Sequence, residues 1–146
     1  MAGLEFTMTT DIQASPQAVF ELLTDIPRIP DLFAGFKAVK NYHGGKVKNG
    51  DTWTVLTEFM GRDIKNEYTV TKLTEPSLLA WRSVSKQAIV DSAFEIQATD
   101  AGSRVVLRVK GKPANMFMSF GLAMVEENLK QGIADDMANI KQILEK

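Results

Sequence analysis

Three polar side chains could do chemistry within an otherwise apolar pattern: Thr57, Asn66 and Tyr68. They lie in two alternating runs, within 52–72, that can fold back on each other about residues 60–63. The alternation places them on the same side of the predicted hairpin as its apolar residues, facing the interior. Because ligand pockets combine apolar walls with a few oriented polar groups, this mixed face predicts a binding cavity.

Tyr68 is the inward residue that could transfer a proton. An ordinary phenol pKa near 10 makes it a weak base at neutral pH. The charged residues of the predicted sheet point outward; they include Glu58, Glu67, Arg82 and Glu95. Catalysis would therefore need Tyr68 as an acid or oxyanion donor, assisted by water. If the protein is an enzyme, we expect Tyr68 to be its catalytic residue; otherwise we expect none. We favour a binding protein over an enzyme.

The turns between alternating runs fix how the strands should pair. We place two-residue, tight and four-residue loops at 61–62, 73–76 and 100–103, respectively. The first predicts Trp53–Val70, Val55–Tyr68, Thr57–Asn66 and Phe59–Ile64; the second predicts Tyr68–Trp81 and Asn66–Ser83; the third predicts Ala98–Val105 and Ile96–Leu107. These registers keep one face inward across five strands.

The inward face defines the candidate ligand-binding residues. The strands contribute Trp53, Val55, Thr57, Phe59, Asn66, Tyr68, Trp81, Ser83, Ser92 and Phe94, and the terminal helix contributes Met118, Leu122 and Val125. Two interpretations of Thr57, Asn66 and Ser83 stay open. They either bond one another within a core or border a space that holds water or polar atoms of a ligand. The two tryptophans are likewise either core aromatics or stacking surfaces.

The remaining elements follow from local signals. The alternation of Leu4–Gln13 predicts a strand, and Ser15 before Pro16 predicts a capped helix start. A second short helix is predicted over Arg28–Phe33, and another strand over Phe36–Tyr42. The glycine-rich segment 43–50 lacks the spacing of a phosphate-binding motif, and we interpret it as a connector with a mobile tip.

A long helix is predicted from Ala114 to near Leu144, because apolar residues recur there at three- and four-residue steps. Its first turns carry apolar side chains around nearly the whole circumference, including Phe117, Phe120 and Met124. Neighbouring loops could cover them, or they could form a portal or a transient contact with a membrane or protein.

Composition limits the classes of function. The chain has 146 residues, 45% of them hydrophobic, and a formal net charge of -1. Its length predicts one domain, residues 1–146, and the balanced charge argues against a nucleic-acid partner. There are no cysteines and one histidine, so we expect no metal and no cofactor. Lacking a long apolar run or a secretory signal, the sequence predicts a cytoplasmic protein without an integral membrane segment.

Several short strings along the chain carry a family resemblance. They are Ile12–Phe20, Gly50–Trp53, Met60–Asp63, Val70–Pro76 leading to Leu79–Arg82, and Thr99–Val105. In this order and spacing the sequence resembles the START-related helix-grip superfamily, in particular its polyketide cyclase/dehydrase and lipid-transport branch. The matches span nearly the whole chain and consist mostly of turn and core positions.

The resemblance implies an α+β helix-grip fold. In that fold a curved seven-stranded antiparallel sheet wraps around a long C-terminal helix, and two short helices lie between strands 1 and 2. It also implies a START-like cavity for a small hydrophobic or amphipathic ligand, which the protein would bind or transport. The alternatives are a polyketide aromatase/cyclase-like or dehydratase-like enzyme, and an assembly or membrane-recruitment accessory module. No catalytic motif is shared throughout the superfamily, so none is transferred.

Overall fold

The architecture was obtained from a computed structural model that describes residues 3–59, 61–113 and 116–146, without the side chains of 59, 116–125 and 128. The elements are β1 (Leu4–Ile12), α1 (Pro16–Leu23), a 3₁₀ helix (Ile26–Arg28), α2 (Ile29–Leu32), β2 (Phe36–Lys40), β3 (Thr52–Phe59), β4 (Arg62–Thr74), β5 (Leu78–Val84), β6 (Ala88–Thr99), β7 (Gly102–Pro113) and α3 (Met116–Leu144). The strands form one antiparallel sheet in the order β1-β7-β6-β5-β4-β3-β2. The predicted helix-grip fold is confirmed.

The start of α1 shows how local sequence sets an element boundary. Ser15 has extended backbone angles, and its side chain accepts a hydrogen bond from the Ala18 N–H at 3.1 Å. Pro16 occupies the first turn, where a missing N–H leaves no helical bond unmade. The predicted cap is therefore confirmed.

The three predicted strand registers are each wrong by two residues. The observed pairs include Trp53–Tyr68, Val55–Asn66, Tyr68–Ser83, Val70–Trp81, Ile96–Val105 and Phe94–Leu107. The β3–β4 chain reverses between Phe59 and Arg62, and the β6–β7 chain between Thr99 and Gly102. Between β4 and β5 a bulge near Val70 moves the pairing. A shift of two preserves the face of every side chain, so the inward set is unchanged.

The outer face of the sheet is covered by ion pairs between neighbouring strands. Arg82 pairs with Asp91, Arg104 with Asp11, and Arg108 with Glu95. These side chains are roughly half exposed, so each pair adds little to stability in water. The charged side chains of these pairs therefore lie on the solvent side of the sheet.

The loop between β2 and β3 is anchored by side-chain contacts at several points, and the mobility predicted for its tip stays a prediction. Val47 is only 3% exposed and belongs to the hydrophobic core. Lys46 forms a 2.8 Å ion pair with Glu75, and the Tyr42 hydroxyl donates to the Gly45 carbonyl at 2.8 Å. Asp51 accepts the Lys48 N–H and contacts His43. Glycine spacing alone could not reveal these anchors, because they come from side chains.

The C-terminal half of α3 packs on the sheet and on α2. Met137 and Ile140 are buried in the core, next to the half-buried Leu129 and Ile133. The Asn139 side-chain amide donates to the carbonyls of Asp31 and Leu32, at 3.0 and 3.3 Å. These carbonyls lie in the last turn of α2, where no helical N–H is available to them, so α3 provides their hydrogen-bond donors.

Candidate functional site

A contiguous set of aromatic rings forms the centre of the inward face. Trp53 stacks on Tyr68 with ring centroids 5.8 Å apart and planes 10° from parallel. Trp81 meets both rings edge-on, at 5.8 and 5.7 Å, and contacts Phe94 at 5.3 Å. All four side chains are buried. Strands β3, β4, β5 and β6 each contribute one ring, so the sheet itself holds this surface in place.

Sequence reasoning missed three further aromatics that continue this surface. Phe36 lies 6.0 Å from Tyr68, Phe33 lies 5.1 Å from Phe36, and Tyr42 meets Trp53 edge-on at 6.0 Å. Extending the strand pairing to β2 would have found one of them, because Phe36 pairs with Thr57.

The polar side chains of the face divide into two groups. Asn66 Nδ2 donates to Thr57 Oγ1 at 3.0 Å and to the Ile64 carbonyl at 3.2 Å. The prediction that Ser83 completes this row is wrong, because the two-residue shift places Ser83 opposite Tyr68 instead. Thr57, Asn66 and Ser92 are half-buried, whereas Ser83 and Val55 are buried.

Tyr68 lies in an environment that keeps it protonated. Burial raises the pKa of its phenol well above the ordinary value, and a hydrogen bond with Ser83 only partly offsets that rise. No carboxylate shares the inward side of residues 64–70, since Glu67 bonds Thr54 on the opposite side. The phenol can therefore donate a hydrogen bond at neutral pH but cannot serve as a base.

Trp53 carries a buried hydrogen-bond donor on this face. Its side chain is 1% exposed, and within the residues that the structure describes its Nε1–H has no hydrogen-bond acceptor. Buried donors in folded proteins nearly always have a partner, and leaving one unpaired costs about 1–3 kcal/mol. The aromatic surface thus contains an uncommitted donor.

Some predicted residues lie outside what the structure describes. The side chains of Phe59, Met118, Leu122 and Val125 belong to this group, as do those of Phe117, Phe120 and Met124. Their assigned contacts with a ligand, membrane or protein stay predictions. For the predicted site residues that the structure does describe, contact with a ligand likewise stays a prediction.

Two surface depressions lie away from the aromatic face. One, of about 370 Å³, is lined by Asp11, Ile12, Gln13, Thr99, Asp100, Ala101, Ser103, Arg104 and Lys141; the other, of about 310 Å³, is lined by Phe20, Glu21, Thr24, Lys46, Val47 and Glu75. Their basic groups are already engaged, since Arg104 pairs with Asp11 and Lys46 with Glu75. Neither depression includes a predicted site residue.

Two structural absences apply to the part of the chain that is described. Within it, no group of three or more histidine, aspartate or glutamate side chains is placed to hold a metal ion. No helix among the residues searched combines the length and the apolar character needed to span a membrane.

The matching family model decides the affiliation of the chain. Its description is "Polyketide cyclase / dehydrase and lipid transport", and it matches residues 3–145. The chain belongs to this family. The resemblance inferred from the turn and core strings is thereby confirmed. No curated protein matches the sequence.

Solved structures of similar fold include one whose name states an enzymatic role. A protein from Rhizobium leguminosarum has a TM-score of 0.79 at 13% identity, covering 99% of this chain and 95% of its own. The ZhuI aromatase/cyclase from Streptomyces sp. R1128 has a TM-score of 0.77 at 15% identity, with coverages of 99% and 93%. Ara h 8.0201 has a TM-score of 0.74 at 14% identity and covers 98% of both chains. At these identities the likeness shows the fold alone.

Proposed function

We propose that this family member binds a small hydrophobic or amphipathic molecule between the inward face of the sheet and α3, with residues 1–146 acting as one ligand-binding domain. The observation that carries the proposal is the composition of the face. Half-buried Thr57, Asn66 and Ser92 share it with four buried aromatic rings. Polar side chains are uncommon in a solid core, whereas a binding surface uses them to orient a guest. The family description, which names lipid transport, supports the same function.

Ser92 and Ala93 provide a matched test of this proposal. Both are half-buried neighbours on β6; Ser92 pairs with Trp81 on the inward side, and Ala93 faces the other side. Ser92→Phe should fill space beside the aromatic rings and lower the affinity for Nile red at least about tenfold. Ala93→Phe introduces the same strand-favouring residue on the outside and should leave the affinity within about twofold.

Fluorescence titration of the native protein and both variants gives the readout, and circular dichroism confirms their folding. Native mass spectrometry of protein from its own host should also show a retained small molecule. The proposal fails if the native protein gives no saturable, displaceable signal, or if the two variants weaken binding equally.

An aromatase/cyclase-like reaction is the second candidate, favoured by one feature, the inward hydroxyl of a protonated Tyr68. This group could act as an acid or as a donor to a developing oxyanion. Tyr68→Phe distinguishes the two functions, because turnover of an enzyme should collapse whereas a carrier should lose only modest affinity.

A further inference from the structure

The uncommitted donor on the aromatic face restricts the chemistry of whatever binds there. An indole N–H can donate a hydrogen bond but cannot accept one, so its partner must be an acceptor. The rings of Tyr42, Tyr68 and Trp81 pack around Trp53. No acceptor for Trp53 Nε1 is found among the residues that the structure covers. A bound molecule that brings its own acceptor would remove the cost of burying this group.

One other donor group of the face, the Asn66 amide, is already engaged within the protein. Asn66 Nδ2 donates to Thr57 Oγ1 and to backbone carbonyls. Trp53 Nε1, in contrast, is a buried donor that a guest can recruit without breaking a hydrogen bond between the described residues.

The uncharged strand positions of the face disfavour an anionic guest at this point. The inward positions of the strand segments 53–57, 64–70, 79–83 and 90–96 are all uncharged. The charged groups of these strands lie on the outer face, where Arg82 is already paired with Asp91. A carboxylate or phosphate bound against Trp53 would lose its hydration and gain no opposite charge, which is costly.

We infer that the guest is an uncharged molecule with a carbonyl- or ether-type oxygen, and that Trp53 Nε1 donates a hydrogen bond to that oxygen. This inference rests on the proposed function and specifies its ligand class. Trp53 would then orient the guest, while the surrounding rings supply apolar contact.

Three probes of one shape test the assignment. They are prodan, an uncharged naphthyl ketone; its propyl analogue, which lacks the carbonyl; and its carboxylate analogue. Prodan should bind the native protein about tenfold more tightly than the propyl analogue does. It should also bind at least about tenfold more tightly than the carboxylate analogue. Affinities are measured by prodan fluorescence and by displacement of prodan with the other two.

Trp53→Phe removes the donor but keeps an aromatic ring. It should weaken prodan binding about tenfold and change the affinity for the propyl analogue less than about threefold. Trp81→Phe removes the other indole of the cluster and should change both affinities alike. The inference fails if Trp53→Phe weakens both probes equally, or if the carboxylate binds as tightly as prodan. If none of the three probes binds, the proposed function fails with it.

A second measurement needs no variant at position 53. The chain has two tryptophans, so a nitrogen–proton correlation spectrum shows two indole signals, and Trp81→Phe assigns them. Prodan should move the Trp53 Nε1–H signal downfield, whereas the propyl analogue should not. An unmoved Trp53 signal at saturating prodan would overturn the inference even if Trp53→Phe fails to fold.

Discussion

Tyr68 links the chemistry of one residue to the stability of the whole chain. Burial raises the pKa of its phenol in the folded state above the ordinary value near 10. The stability that it contributes is complete below pH 10 and is lost as the pH rises above that value, because only the unfolded chain then ionises readily. Tyr68→Phe should therefore lose less unfolding free energy between about pH 9 and 11 than the native protein.

Urea denaturation at each pH measures this difference. The other tyrosine, Tyr42, is a natural control: its pKa is also raised by burial, but the side chain is more exposed. Tyr42→Phe should alter the alkaline loss less than Tyr68→Phe does. Equal alkaline losses in the native protein and Tyr68→Phe would contradict the assigned environment.

The inward position of Tyr68 could be predicted, but the unpaired donor of Trp53 could not. Strand alternation determines on which face of the sheet a side chain lies, and a register error of two residues does not change that face. Whether an indole N–H finds an acceptor depends instead on its rotamer and on neighbours from distant segments. Tyr42 and Trp81, which pack against Trp53, come from the loop after β2 and from β5.

Among the elements, the short helix α2 depends on α3 for its C-terminal hydrogen bonds. Asn139→Ala should remove both amide contacts with Asp31 and Leu32 and lower the free energy of unfolding by about 1–2 kcal/mol. Gln142→Ala changes an exposed residue of the same helix and should be nearly neutral. Thermal or urea unfolding compares the two, and a neutral Asn139→Ala would show that α2 does not need these bonds.

Element order was predictable because each strand and helix carries its own periodicity, whereas turn geometry was not. Gly61 adopts a φ of +78° and Gly102 a φ of +150°. Both values suit glycine, but they do not tell where along a turn the glycine sits. The β3–β4 and β6–β7 hairpins were therefore placed with the right partner strands but two residues out of register. The anchoring of Val47 escaped prediction for a related reason, since it depends on contacts across the fold.

For the molecule as a whole, paired carboxylates set the acid limit of stability. The pKa values of five are lowered, chiefly by hydrogen bonds: Asp11 with Arg104, Asp51 with His43, Glu75 with Lys46, Glu95 with Arg108, and Glu145 with Lys141. Their contribution is present above the ordinary values of 3.8 and 4.5 and is lost as the pH falls through the lowered ones. Asp136 acts oppositely, because burial raises its pKa.

The urea midpoint should therefore hold steady from neutral pH to about pH 5 and then fall modestly below about pH 4, because these pairs are exposed. High salt should reduce this dependence, since the pairs are exposed and screened. A midpoint that rises on acidification would mean that Asp136 outweighs the five paired groups.

The pairing of β1 with β7 has a consequence for synthesis on the ribosome. Asp11 and its partner Arg104 are 93 residues apart, and Lys141 of α3, which donates to the Asp11 carbonyl, is 130 residues away. At about 5–20 residues per second, the nascent β1 strand waits roughly 5–20 s before its neighbour is even translated. Throughout that interval Leu4 and Phe6 lack the strand with which they pair in the fold, and β1 can join the sheet only when translation is nearly over.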